Sequence, residues 1–304
     1  MTNTPTSDGP SLLDRELCGE DLAHNAARFS ALAPLHCKGC ADYHIRSALH
    51  RCAGPPKIFD RPELIRLMAG MIAGQAARSD RTIEILIAGA ADTAMLATAA
   101  HAAAVLGVLA RCRFTVVDRC ETPLLVCAEF ATKHGLAFRA EASDLLSAEP
   151  AAANHLIITH SVFRFIPHDD QARLLARIGS WLAREGRLIL SNRILLKDDG
   201  AEAKAEIRKR TVANQAAAQA LAKGRLLLAE SAQATLARLD RAIGDGQGRP
   251  GEFHSLEEAK SLIRQSGLRE ISIADLTFEF AIAPGDVMRR RRVHAVLARP
   301  GSDG

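Results

Sequence analysis

Apolar and polar residues alternate along this chain in two rhythms. Between residues 80 and 196, short unbroken apolar runs are separated by longer stretches rich in Ala and Leu. The short runs Ile83–Ala88, Phe114–Asp118, Ala137–Ala142, His155–Thr159 and Arg187–Ser191 predict strands. The stretches Thr93–Ala110, Pro123–His134 and Asp169–Ala183 predict helices. Unbroken apolar strands that alternate with helices predict a doubly wound, mostly parallel sheet covered on both faces. Ahead of it, residues 1–10 read as disordered, and the pattern from Leu12 to about Gly54 is helical but broken. Pro55-Pro56 interrupts the chain, and Asp60-Arg61-Pro62-Glu63 predicts an N-cap opening a helix through about Gln75. After Asn192 the long run of helix formers Ala201–Ile243, closed by Gly244–Gly251, exceeds a crossover and predicts a helical insertion at about 197–252. Ser255-Leu256-Glu257-Glu258 then reads as a capping box for a helix to Ser266, with Gly267 as its C-cap. Strands at Glu270–Leu276 and Val293–Arg299 close the chain. The division expected is an N-terminal helical lid region, 1–79, and a main domain, 80–304, carrying the insertion.

Composition narrows the partners. With 304 residues, 48% hydrophobic and 24% charged, the chain holds one large embellished domain of ordinary globular character. One Trp and one Tyr argue against stacking platforms for bases or sugars. The net charge of +4 is mild and spread along the chain, and the run Arg289–Arg292 reads as a solvated turn between strands, so no nucleic-acid partner is expected. Met1–Ser11 carries no apolar signal core, and Met95–Ala110 is too short and Ala-rich to span a bilayer, so no membrane partner is expected. Seven cysteines, an odd number, without a signal peptide point to reduced thiols and a cytoplasmic location.

The candidate chemistry begins at Gly89-Ala90-Ala91-Asp92, the small-residue turn between the first strand and its helix. Small residues let backbone N–H groups approach a ligand, and Asp118, ending the next strand, can accept hydrogen bonds from both hydroxyls of a ribose. This βαβ unit fits a nucleotide-like ligand. Beyond the fourth strand, Thr159-His160-Ser161-Val162-Phe163-Arg164-Phe165-Ile166-Pro167 leads into an acidic helix start, a Leu-rich helix, Gly186 and a strand.

Over about residues 80–196 and 253–304 this order resembles the class I S-adenosylmethionine-dependent methyltransferases. Glu84–Ala94 looks like their glycine-rich first motif, Thr115-Val116-Val117-Asp118 like the second, and Arg139–Asp144 like the third. His155–Asn192 is very similar to the fourth and fifth. The first motif departs from the family: Ile87 stands at the acid position, and Gly89, Ala91 and Thr93 at the three glycines. The resemblance implies a Rossmann-like sheet of seven strands, the last antiparallel, with S-adenosyl-L-methionine as cofactor. It implies cofactor contacts from Gly89, Ala90, Ala91, Asp92, Asp118, Arg119, Ser143, Asp144, Leu145, His160 and Ser161, with Asp144 near the adenine amino group. It further implies a longer or bent first helix, since Gly89 and Asp118 are unusually far apart.

The expected activity is methyl transfer to oxygen or nitrogen of a small biosynthetic molecule. Its acceptor site is expected above the strand C-termini, at Phe163, Arg164, Asn192 and Arg193. His160 reads either as a general base or as a loop cap and cofactor contact. Tyr43 and His44 form a second candidate group, because N-terminal helices in such proteins cover the cofactor. Two other classes stay open: an enzyme that consumes the cofactor without methylating, by closing its own chain to azetidine-2-carboxylate and releasing methylthioadenosine or by a lyase reaction, and a non-catalytic scaffold. The insertion serves either as lid or as the face of a homodimer.

The N-terminal motif Cys37-x2-Cys40-x3-His44, with Cys52 close by, offers ligands enough for tetrahedral zinc. A zinc knuckle pair would show two such motifs, and one is present. The sequence reading is therefore no metal: a helical lid whose cysteines pack against the core.

Overall fold

The computed structural model describes residues 20–52, 60–150, 152–195, 251–283 and 286–302, with Ala216, Gln219 and Lys223. Residues 1–10, the Pro55-Pro56 break and nearly all of the 197–252 insertion lie outside the described residues; Ala216, Gln219 and Lys223 are helical and exposed. Three helices come first: α1 (Glu20–His36), α2 (Ala41–Cys52) and α3 (Arg61–Arg78). Next come β1 (Ile83–Ala88), α4 (Ala94–Val105), β2 (Cys112–Asp118), α5 (Glu121–Lys133), β3 (Ala137–Ala142), β4 (Asn154–His160), α6 (His168–Ser180) and β5 (Leu182–Ile194). The chain closes with α7 (Leu256–Ser266), β6 (Arg269–Ala283) and β7 (Asp286–Ala298).

The seven strands form one sheet in the order β3-β2-β1-β4-β5-β7-β6. Neighbours from β3 to β5 are parallel, and β7 runs antiparallel to both β5 and β6. β1 shows why the sheet needs two covers. Ile83, Ile85 and Ile87 enter one apolar layer with α3, α4 and α5, whereas Leu86 and Ala88 enter the other with α6 and α7. Successive strand residues point to opposite faces, so a strand with apolar residues on both faces is stable only between two layers. α3 contributes Leu64, Met68, Ile72 and Gln75 to its buried stripe. α7 is capped as its sequence predicts, with Ser255 Oγ accepting from Glu258 N–H at 3.1 Å and Gly267 at φ +73°. α1 and α2 pack through Phe29, Ala33, Ile45 and Leu49 onto Val126 of α5. Among the described residues, no helix is long and apolar enough to cross a membrane.

Three expectations are corrected. The first helix is not extended: α4 ends at Val105, Gly107 turns at φ +69°, and a 3-10 turn at Leu109–Arg111 fills the gap. Arg289–Arg292 is no solvated turn but lies inside β7, paired with residues 276–279 of β6. Arg292 and Arg290 are buried, while Arg291 makes a two-pronged ion pair with Asp275. Charge alone suggested solvent, yet each of the pairs resolved there offsets it with a carboxylate. Asp60 does precede α3, and its carbonyl accepts from Leu64 N–H at 2.9 Å, but its side chain makes no capping bond.

The described residues on either side of 196–250 are tied to the sheet and to each other. Leu195 N–H donates to Phe253 C=O at 2.7 Å, Ile194 bridges to Phe253, and Gly251 N–H donates to Arg164 C=O at 3.3 Å. Gly251 has no room for a side chain: a Cβ there would lie 2.1 Å from Phe163 O and 2.2 Å from Ile166 O.

Candidate functional site

Strand order reverses between β1 and β4, so the loops leaving their C-terminal ends diverge to opposite faces and open a crevice. A cavity of about 320 Å³ occupies it. The loop after β1 supplies Gly89, Ala90 and Ala91; the loop after β2 supplies Asp118, Arg119 and Cys120; the loop after β3 supplies Asp144 and Leu145. His160, Ser161 and Val162 line it from the end of β4, with Phe165 and Ile166 beyond, and Gly39, Cys40, Tyr43 and His44 close it from the N-terminal helices. Gly89 is required there twice over: its φ is +81°, and a Cβ would meet Val162 Cγ2 at 2.6 Å.

Asp118 holds the first two loops together. Its Oδ2 accepts from Ala90 N–H at 2.8 Å and its Oδ1 from Cys120 N–H at 2.7 Å. Tyr43 meets Phe165 edge-on with centroids 5.2 Å apart. His44 Nδ1 lies 3.0 Å from the carbonyl of Ala91. Ser161 is the one non-glycine residue with positive φ, +60°, among the described residues. Its Oγ accepts from Arg292 at 2.9 Å, and its N–H donates to Ser191 O at 2.8 Å. A backbone held there costs of order 1–3 kcal/mol and persists when surroundings fix it, often beside a functional group.

That group is a buried charge cluster centred on Asp60. The carboxylate is fully buried; its Oδ2 accepts from His294 Nε2 at 3.0 Å, Ser191 Oγ at 3.1 Å and His160 Nε2 at 3.2 Å, and forms an ion pair with Arg292, whose Nε lies 2.8 Å away and donates to Ser191 Oγ. Burial opposes the charge on Asp60, but Arg292 and then His160 outweigh it and hold the carboxyl well below the ordinary range. Burial and the Arg292 charge push His160 below its ordinary value despite Asp60. His160 is therefore a neutral imidazole at neutral pH. Its Nε2 proton is committed to Asp60, leaving Nδ1 as the basic atom of a residue on the cavity wall.

Other residues singled out in the sequence lie elsewhere. Asp92 is buried and its Oδ1 accepts from Ala94 N–H at 2.8 Å; Ser143 N–H donates to Asp118 O at 3.0 Å. Glu84 pairs with Arg113 at 2.8 Å. Phe163 is fully buried in the second apolar layer. Arg164 and Arg193 both face the buried Glu252, at 2.6 and 4.0 Å. Asn192 is fully buried, and neither its Oδ1 nor its Nδ2 has a hydrogen-bond partner among the described residues. Sequence reasoning missed Asp60, Ser191, Arg292 and His294. The available signal was spacing: Arg292 and His294, two apart in a strand, share a face.

A seven-stranded sheet in this order, with the antiparallel β7 between β5 and β6 and the crevice at the β1–β4 reversal, matches the Rossmann-like methyltransferase fold. No family model and no curated protein matches the chain. Among solved structures, the N-methyltransferase NodS from Bradyrhizobium japonicum WM9, in complex with S-adenosyl-L-homocysteine, is similar at 14% identity and TM-score 0.47, over 84% of this chain and 97% of that one. Magnesium protoporphyrin IX methyltransferase (ChlM) from Synechocystis PCC 6803, with the same ligand bound, aligns at 11% identity and TM-score 0.47, over 79% of this chain and 84% of that one. The mitomycin 7-O-methyltransferase MmcR aligns at 17% identity and TM-score 0.45 over 88% of this chain, which spans 60% of MmcR's length.

Proposed function

We propose that the chain is an S-adenosylmethionine-dependent methyltransferase acting on oxygen or nitrogen of a small molecule. One observation carries the reading: at the strand-order reversal, a small-residue turn and a strand-terminal carboxylate share a cavity with a neutral histidine oriented by a buried aspartate. The residues present fit the cofactor. Gly89, Ala90 and Ala91 line the cavity with small residues, Asp118 keeps lone pairs beyond those given to Ala90 and Cys120, and Asp144 stands at the third loop. When bound, the cofactor supplies an electrophilic methyl group. The chain's own part is to align the acceptor, exclude water, and take the acceptor's proton at His160 Nδ1, while Asp60 fixes the ring and stabilises the imidazolium that forms.

A second reading, ring closure of the cofactor's own amino acid chain to azetidine-2-carboxylate with release of methylthioadenosine, is favoured by one observation. The carboxylates closest in sequence to the missing acid of the first motif are both engaged within the protein, Glu84 with Arg113 and Asp92 with Ala94. The aminoacyl end of the cofactor would then meet a different set of groups.

Incubation of the purified protein with S-adenosylmethionine, alone and with a panel of phenols and amines, followed by liquid chromatography and mass spectrometry, decides. S-Adenosylhomocysteine appearing only with an acceptor supports methyl transfer. Methylthioadenosine without acceptor supports the second reading, and no cofactor binding by calorimetry rejects both.

A further inference from the structure

Three cysteines and a histidine converge where the N-terminal helices meet the sheet. Cys37 and Cys40 come from the short connection between α1 and α2, His44 from the first turn of α2, and Cys120 from the loop after β2. Their four ligand atoms, Sγ of each cysteine and one ring nitrogen, all lie within 4.8 Å of one another. The sulfurs of Cys37 and Cys120 are 3.3 Å apart. In a tetrahedron with metal–sulfur bonds of about 2.3 Å, neighbouring sulfurs stand roughly 3.8 Å apart, so an ion enters with shifts of no more than about 1 Å.

We propose that Cys37, Cys40, His44 and Cys120 hold one zinc ion in a closed, structural site. Cys120, eighty residues away in sequence, stands fourth; the side chain of Cys52, the sequence candidate, lies outside the described residues.

The surroundings are those a thiolate–imidazole site needs. His44 Nδ1 faces the carbonyl of Ala91 at 3.0 Å, which places the proton on Nδ1 and frees Nε2 for the metal. Phe29 stacks on the ring at 5.9 Å and fixes its plane. Thr122 Oγ1 lies 3.1 Å from Cys37 Sγ and can donate to a ligating thiolate. Three thiolates around a divalent ion leave one negative charge.

The site's function follows from its ligands. Three come from the helical lid and one from the loop carrying Asp118, so the ion pins the lid to the sheet. Cys40, His44 and Cys120 also line the cavity. All four positions are taken by protein, so the ion holds shape and leaves no place for substrate. The proposal stands on the cluster's geometry and does not require the chain to bind S-adenosylmethionine.

The test is metal content of the full chain, purified without a polyhistidine tag and under thiol reductant, by plasma mass spectrometry. The expected result is one zinc per chain in the wild type and in Cys112→Ser, a buried cysteine outside the group, with zinc falling to background in Cys37→Ser and Cys120→Ser. Should those variants fail to fold, wild-type apoprotein titrated with Co2+ still decides. Stoichiometric uptake with the thiolate-to-cobalt charge-transfer band and tetrahedral d–d bands supports the site. Absence of both zinc and stoichiometric cobalt uptake in reduced wild-type protein overturns it. So does zinc retained in full by folded Cys37→Ser and Cys120→Ser, or a Cys37–Cys120 disulfide as the stable form in a non-reduced peptide map.

Discussion

Replacing Asp60 by Asn keeps the side chain's shape and removes the charge on which four side chains converge. Asn opens helices as readily as Asp, and Asp60 makes no side-chain capping bond, so the substitution leaves α3 untouched. It strands the guanidinium of Arg292, which is only 6% exposed and loses its contact at 2.8 Å. Removing one partner of a buried pair costs about 3–5 kcal/mol, because an uncompensated charge stays behind. At about 2–4 °C per kcal/mol, the Tm of Asp60→Asn falls by roughly 6–20 °C. Removing both charges, in Asp60→Asn with Arg292→Met, recovers at least about 2 kcal/mol of that loss. Urea unfolding followed by far-ultraviolet circular dichroism at pH 7 measures Asp60→Asn, Arg292→Met and the double variant against the wild type. The pH dependence adds a second check. Since the Asp60 carboxyl is held below its ordinary value, its contribution is fully present above the unfolded pKa of about 3.9 and is lost as pH falls through the folded one. The Asp60→Asn deficit from this carboxylate thus stays constant from pH 7 to about 5 and shrinks only in stronger acid. An Asp60→Asn protein within about 1 kcal/mol of wild type at pH 7 refutes the reasoning, as does a double variant that loses the sum of its singles.

Three further outcomes are expected. Gly89→Ala loses about 1–3 kcal/mol of stability and weakens S-adenosylhomocysteine binding in calorimetry, and adding Val162→Ala restores only the part due to the 2.6 Å contact, not the positive φ. His160→Asn lowers kcat roughly 10²–10⁴-fold with cofactor affinity nearly unchanged. Because burial and Arg292 depress the His160 pKa, the acid limb of the wild-type kcat/KM profile lies below about pH 6.5, and a limb at or above that value contradicts the assignment. Gly251→Ala forces backbone apart at Phe163 O and Ile166 O and costs about 1–3 kcal/mol, so an unchanged thermal midpoint would reject the tight packing described there.

The sheet was legible because its signal is local. The run Ile83–Ala88 announces itself by composition, and the structure bounds both it and the expected strand Ala137–Ala142 at those residues. The ends of other elements were not, for physical reasons. Trp181 caps α6, and β5 starts at Leu182, five residues before the apolar run at Arg187, since Asn154 N–H pairs with Trp181 C=O across the sheet. The loops around the cavity were readable for the same local reason as the strands, each following directly on a strand end. The Asp60 cluster was not, because its members come from the residue before α3 and from β4, β5 and β7, and each has an ordinary local role. Asp60 looks like a cap, Arg292 like surface charge, His294 like one residue of a strand. Only the register of β5 against β7, which sets Ser191 opposite His294, brings them together.

The hydrogen bonds joining Leu195 to Phe253 and Gly251 to Arg164 hold together the two points of the chain that flank residues 196–250. A stretch whose two ends are fixed side by side by the remaining structure is interchangeable with any other stretch that closes the same gap. The entropy of closure scarcely resists, since each doubling of loop length costs only about 0.6 kcal/mol. Through this one joint, evolution or an engineer can graft, lengthen or delete an accessory module while the sheet, the β1–β4 crevice and the Asp60 cluster are inherited unchanged.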